Sequence, residues 1–250
     1  MKQNILIIGK GSISFKHLKI LNKLYQKSNI THVSSRIFLK KNNEILNKKY
    51  FITVISNDAT SHLKTISLVN KFTDFIFVEK PFAENFDNLS LFLKQNRILK
   101  KKIWVGYNLI FSELLKKIIK IINNKEYGKI ISVRSTVGYD VRLWRKKNYL
   151  KSVSVKKKLG GGVINELSHD INYLLYIFKK LNYINSITGN FYLKKLDVED
   201  TMFVNFISDR SILINLTMDF YRQDKTREIQ FIFQKGTIFL DFVAGKILLK

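Results

Sequence analysis

Short apolar runs alternate with amphipathic stretches through the first half of the chain. Residues 4–8, 31–35, 51–55, 75–78 and 103–106 predict buried strands, and 18–27, 61–70, 85–97 and 114–124 predict helices. Strands alternating with helices at this spacing imply a parallel sheet of βαβ units. The second helix has the weakest signal, because 39–47 offers little apolar periodicity. After about Asn124 the pattern changes. Residues 130–139, 184–193, 202–207, 212–218, 228–233 and 237–242 are strand-like, with turn signals at Asp209-Arg210 and Lys235-Gly236. Ile229, Phe231 and Phe233 alternate as a sheet with one buried face requires. One helix, 163–178, interrupts these strands and is entered through Gly160, Gly161 and Gly162. Its apolar stripe is Ile164, Leu167, Ile171, Leu174 and Phe178, which puts Glu166, His169 and Tyr173 on the opposite side. The expected fold class is α/β: a nucleotide-type domain over 1–124, then an α+β domain with an open, mostly antiparallel sheet over 125–250.

The chain has 250 residues, 46% of them hydrophobic and 13% aromatic, enough to offset the ordering entropy of a folded core. Its longest apolar runs fall far short of the ~20 residues a membrane crossing needs. The N-terminal run ends at Gly9, too soon for a secretory signal, so a cytoplasmic location with no membrane partner is expected. There is no cysteine, which removes disulfides and thiolate metal sites and fits a reducing compartment. The formal charge of +25 raises the question of nucleic acid. However, 36 of the 44 cations are lysine and only eight are arginine, the residue that reads bases and grips phosphates bidentately. Lysine spread along every segment reads as a solvated surface, and nucleic acid is not expected as a partner. The cations thicken at 100–102, 145–147 and 156–158, where they can attract anionic substrates.

Four places carry chemistry. The first strand leads into Gly9-Lys10-Gly11-Ser12-Ile13-Ser14 and then a helix, the arrangement that lays backbone N–H groups against a pyrophosphate, with Ser14 where a third glycine is usual. At the end of the second strand stands Ser34-Ser35-Arg36, with a hydroxyl and a guanidinium in place of the acidic residue that reads a free ribose. That tilts the expected cofactor from NAD toward NADP. Glu79-Lys80-Pro81 follows the fourth strand at the carboxyl edge of the sheet. Pro81 is the single proline, expected to hold a special backbone geometry, such as a cis peptide, that sets Lys80 over the crevice. His169 lies near Glu166 and Asp170, a thin metal set that favours acid/base work instead, so no metal is expected.

Several strings then coincide in order: Gly9-x-Gly11-Ser12-Ile13-x-x-x-His17, Ser56-Asn57-x-x-x-x-His62, Glu79-Lys80-Pro81, Val105-Gly106-Tyr107-Asn108, Trp144-Arg145, Gly160-Gly161-Gly162-Val163, Leu167-Ser168-His169, Val198-Glu199-Asp200 and Lys235-Gly236-Thr237-Ile238. The set resembles the Gfo/Idh/MocA oxidoreductases, and within them the subgroup associated with surface polysaccharides and nonulosonate sugars. The resemblance implies an N-terminal Rossmann domain, NAD or NADP, and a sugar, polyol or nucleotide-sugar substrate. It makes Lys80 and His169 the catalytic pair. It lays the cofactor against Gly9, Gly11, Ser12, Ile13, Ser35, Arg36, Ser56, Asn57, His62, Glu79, Lys80 and Asn108. The substrate falls to Arg142, Trp144, Arg145, Glu166 and His169, with the two arginines facing a negative charge. A homodimer or homotetramer is expected by analogy. The sequence departs from the family pattern at Ser14, Asp58, Ile110, Lys146, Glu166 and Asn172, and it ends at Lys250, sooner than members usually do. The alternative these departures favour is a paralogue that binds the cofactor in a regulatory role without turnover.

Overall fold

The computed structural model describes residues 3–96, 102–144 and 148–250. The chain forms two compact units, Met1–Gly106 and Tyr107–Lys250. The division falls before the helix at Glu113–Asn124, not after it as the sequence pattern suggested. The reason is packing: Leu115 and Ile118 of that helix have no exposed surface and sit in the core of the second unit.

The first unit is a five-stranded, wholly parallel sheet. Its strands are β1 (Asn4–Ile8), β2 (Asn29–Val33), β3 (Tyr50–Ile55), β4 (Thr73–Val78) and β5 (Ile103–Val105), in the spatial order β2-β1-β3-β4-β5. Every residue from Ile5 to Ile8 is fully buried, because β1 is central and its alternating side chains feed two cores. Leu6 and Ile8 meet Phe38 of α2 (Ser35–Ile45), Ile66 and Val69 of α3 (Ala59–Val69) and Phe92 of α4 (Phe86–Gln95). Ile5 and Ile7 meet Leu21 of α1 (Ser12–Leu24). Two helices start earlier than their periodicity suggested. The first begins at Ser12 instead of residue 18. The second begins at Ser35 instead of 39, anchored by the fully buried Phe38.

The second unit is a seven-stranded sheet in the order β12-β11-β10-β6-β9-β8-β7. Its strands are β6 (Ile130–Gly138), β7 (Leu181–Gly189), β8 (Thr201–Ser208), β9 (Leu213–Asp219), β10 (Thr226–Phe233), β11 (Gly236–Asp241) and β12 (Lys246–Leu249). All neighbours are antiparallel except β6 and β9. One face is apolar and covered: Val133, Val137, Leu216, Ile229, Phe231 and Leu240 pack with α5 (Glu113–Asn124) and with the helix of His169. On the other, Ile131, Ile187, Phe203 and Leu213 remain exposed.

The helix expected at 163–178 is broken into α7 (Val163–Glu166) and α8 (His169–Phe178), with Leu167 at φ −102°, ψ 15° between them. Glu199 seizes the start of α7, its carbonyl accepting from the Val163 N–H at 3.1 Å and its Oε1 from Ile164 at 3.2 Å. Gly162, at φ +116°, leaves the room that Glu199 occupies. The buried residues of α8 are Asp170, Tyr173 and Leu174, so Tyr173, which the continuous stripe set opposite the apolar side, lies in the core one helical turn beyond His169.

Candidate functional site

In the first unit, the chain order of the strands reverses between β1 and β3, and open α/β sheets bind ligands at the carboxyl ends beside such a reversal. Four segments singled out from the sequence arrive there. The turn Gly9–Gly11 follows β1, Ser35-Arg36 follows β2, Ser56-Asn57 follows β3, and Glu79-Lys80-Pro81 follows β4.

The first turn is built for close approach. Gly9 holds φ +140°, and a Cβ there would lie 2.5 Å from the Ser56 carbonyl oxygen, so only glycine fits. A Cβ on Gly11 would meet nothing within 4 Å, and Gly11, Ser12 and Ile13 are exposed. Compare α4 and α5. Asn85 and Ser112 cap them through side-chain oxygens, with Asp87 and Glu113 in their first turns. The start of α1 has neither a side-chain cap nor an acidic residue. Its N–H groups and dipole are left for an external anion, and the residues present fit a dinucleotide pyrophosphate.

Ser14 has a job of its own. It is fully buried, its hydroxyl donates to the Gly9 carbonyl at 2.9 Å, and it lies 2.7 Å from Nε2 of His32, which also reaches the Gly9 carbonyl at 2.8 Å. A ring proton on Nε2 satisfies both oxygens. Burial first, and Lys10 second, push the His32 pKa down, which keeps the ring neutral in this role. The hydroxyl thus holds the turn from beneath, where a glycine would only have made space.

At the end of β4, Glu79 Oε1 lies 2.6 Å from Nε2 of His17, whose ring stands edge-on to Phe77. The Lys80–Pro81 peptide is cis, as its sequence setting suggested. Lys80 is half-buried. His62 lies at 2.9 Å from the Pro81 carbonyl and 3.0 Å from that of Asn57, and is 1% exposed. Burial drives its pKa down against the pull of those carbonyls. Set between the two carbonyls, with one ring N–H to donate, His62 bridges the turn after β3 and the turn after β4. Buried there, the ring supports the backbone of turns that the sequence assigns to the cofactor. Asn57 donates its amide to Ser35 Oγ and Thr65 Oγ1, both at 3.0 Å, joining the ends of β3 and β2. Arg36 is exposed.

In the second unit His169 is the first residue of α8, half-buried, with Tyr107 edge-on at 5.6 Å. Burial raises the Tyr107 pKa, against a weaker pull from the Ser168 hydroxyl. Glu166 is half-buried at the end of α7, and Asn108 is exposed in the turn that follows the first unit. Trp144 stacks on Tyr139 at 25° and meets Phe220 edge-on. Arg145 lies outside the described residues. Arg142 does not face an open charge. Its guanidinium forks onto Asp140, 2.9 Å from Oδ1 and 2.5 Å from Oδ2, and lies over the Tyr192 ring. Burial alone would raise the Asp140 pKa, but the Arg142 fork outweighs it and holds the carboxyl below its ordinary range. Arg142 is exposed, and Asp140 holds its Nε and Nη2.

Sequence reasoning missed one cluster. Asp170 is completely buried beside His169. Its Oδ1 accepts from the Tyr173 hydroxyl at 2.8 Å, that hydroxyl lies 2.8 Å from Ser135 Oγ, and Arg227 Nη2 stands 3.1 Å from Oδ2. The network binds α8 to β6 and β10. Its signal in the sequence is Ser135, a polar residue at a strand position whose neighbours in the alternating pattern predict core. Among the described residues no cluster of three metal-ligating side chains occurs, and no helix is long and apolar enough to cross a membrane.

Residues 115–239 match the model of the GFO/IDH/MocA C-terminal domain. A search of curated proteins finds no match. Among solved structures, the WlbA dehydrogenase from Bordetella pertussis, in complex with NADH and UDP-GlcNAcA, superimposes with a TM-score of 0.82 at 15% identity, covering 100% of this chain and 82% of its own. An oxidoreductase from Thermotoga maritima gives 0.83 at 17%, covering 100% and 81%. The myo-inositol 2-dehydrogenase from Lactobacillus plantarum gives 0.77 at 15%, covering 96% and 76%. At these identities the likeness is one of fold.

Proposed function

The chain belongs to the GFO/IDH/MocA family, and we propose that it is a nicotinamide-dependent oxidoreductase that interconverts a hydroxyl and a carbonyl on a sugar or nucleotide-linked sugar by hydride transfer. The observation that carries this reading is the convergence of the uncapped, acid-free start of α1 with Lys80 at the carboxyl edge of one parallel sheet. A bound nicotinamide dinucleotide would supply the hydride donor or acceptor. Gly11, Ser12 and Ile13 would hold its pyrophosphate, and Ser35 and Arg36 its adenosine ribose, with the guanidinium favouring a 2'-phosphate. Lys80 would donate a hydrogen bond to the reacting oxygen, and His169 would take or return the proton of the hydroxyl. Structural relatives crystallised with NADH and UDP-GlcNAcA support both the cofactor class and a nucleotide-sugar substrate.

Lys80→Ala should lower turnover by about 100-fold or more, while dinucleotide affinity changes little. Steady-state assays across nucleotide sugars, paired with calorimetric titration of NADH and NADPH, measure both quantities and the cofactor preference together. Unaltered turnover removes Lys80 from its role. Binding of neither dinucleotide sinks the whole reading.

A further inference from the structure

The second unit contains a cavity of about 560 Å³, within the ~300–1,000 Å³ typical of ligand sites. Leu109, Leu114, Leu167 and Phe242 give it apolar walls, and the Tyr139–Trp144 stack adds an aromatic surface. The charged side chains on the wall are Lys225 and Arg227, and no carboxylate residue lines it among the described residues. Lys225 is exposed and in no ion pair among the described residues. Arg227 is 24% exposed and meets Asp170 through Nη2 alone, whereas a guanidinium offers five N–H donors. Arg142 does not line this cavity. The cations left to meet a ligand in this unit's cavity are therefore two residues of the segment that opens β10, neither of which belongs to the family motifs.

We propose that this cavity seats an anionic sugar, its carboxylate or phosphate facing Lys225 and Arg227 and the C–H face of its ring against the Tyr139–Trp144 surface. The inference extends the sugar-oxidoreductase reading and takes the class of molecule from it. The apolar walls explain why a bare inorganic anion is a poor occupant, since it leaves most of the cavity unfilled. The two cations explain why a neutral sugar is a poor one, since Lys225 and Arg227 then gain no partner.

The chain has two tryptophans, Trp104 and Trp144. Trp104 is 52% exposed on β5 of the first unit, so Trp104→Phe leaves Trp144 as the sole emitter of its kind at the cavity wall. Titrating that variant with D-glucuronate, D-glucose 1-phosphate and D-glucose should shift Trp144 emission saturably. At least one charged sugar should bind about tenfold tighter than glucose. Whichever charged sugar binds tighter identifies carboxylate or phosphate as the preferred group. Lys225→Met should weaken the charged sugars about tenfold and leave glucose unchanged. Arg227→Lys, which keeps a cation beside Asp170 and so guards the fold, should weaken them in the same direction. Equal binding of all three sugars, an equal loss for glucose in Lys225→Met, or silent Trp144 emission would each overturn the proposal. Hydride-transfer assays separate the two readings. Selective binding without turnover of any sugar removes the enzyme and keeps the cavity, whereas turnover of neutral and charged sugars alike does the reverse.

Discussion

At the level of single residues, the dinucleotide turn shows how much depends on one missing Cβ. Gly9 combines φ +140° with a 2.5 Å approach to the Ser56 carbonyl. Backbone strain for a side chain there costs on the order of 1–3 kcal/mol, and the clash adds to it by pushing β1 and β3 apart. Gly9→Ala should therefore lower the chemical-denaturation midpoint and reduce dinucleotide affinity by at least about tenfold. Calorimetry on folded protein, checked by circular dichroism, measures the second effect, and affinity unchanged in a folded variant would detach this turn from cofactor binding. The glycine was legible because its constraint is local: a strand, a tight turn and a helix in immediate succession. The role of Ser14 was not legible, because its partners, the Gly9 carbonyl and the His32 ring, are brought to it by the pairing of β1 with β2. A glycine-shaped motif marks the position as defective, whereas the hydroxyl there bonds the turn it supports. The pairing of Arg142 was not legible for a related reason. An arginine near a tryptophan reads as an unpaired charge until the buried Asp140, two residues before it, is seen to hold its Nε and Nη2.

At the level of elements, α8 carries the argument. A stripe at three- and four-residue spacing from Ile164 to Phe178 reads as one helix, and its apolar content was read correctly. Sequence periodicity contains no information about the break at Leu167–Ser168, which comes from Glu199 on a distant segment holding the start of α7. Within α8 a carboxylate and a phenol, Asp170 and Tyr173, enter the core. Burial pushes the Asp170 pKa up to about 6 against the attraction of Arg227, from an ordinary 3.8. The folded protein thus holds a proton at this group that the unfolded chain releases first, so between about pH 4 and pH 6 stability falls as pH rises, and above about 6 the loss is complete. The linkage amounts to roughly 3 kcal/mol. Asp140 and Asp200, whose pKa values are lowered, act with the opposite sign and at lower pH. Asp170→Asn should therefore be compared with the parent across urea unfolding at pH 4, 5, 6 and 7. The stability difference should move in favour of the variant as pH rises through this window and then level off. A difference that is flat with pH would show that Asp170 titrates alike in both states.

At the level of the molecule, the order of sheets was legible and the boundary between units was not. Alternating runs announce a parallel sheet in the first half, and period-two strands announce an antiparallel one in the second. The helix Glu113–Asn124 follows the last parallel strand in the same rhythm as its predecessors, so pattern alone assigns it to the first unit. Its packing assigns it to the second, where Leu115 and Ile118 have no exposed surface. Each such side chain contributes about 1.5–3 kcal/mol when buried, and the two together are a large share of a typical stability of ~5–15 kcal/mol. Cutting after Asn124 removes both and uncovers the face of the sheet they protect, including Ile130 and Ile212 of the same cluster. Cutting after Gly106 keeps the cluster whole, together with the Ser112 hydroxyl that caps the helix at Leu115. A fragment of residues 107–250 should therefore unfold cooperatively in urea with the far-ultraviolet signature of a mixed sheet-and-helix protein, while 125–250 should aggregate or melt without a transition. Equal cooperativity in the two fragments would return the helix to the first unit and restore the boundary that the chain's rhythm suggests.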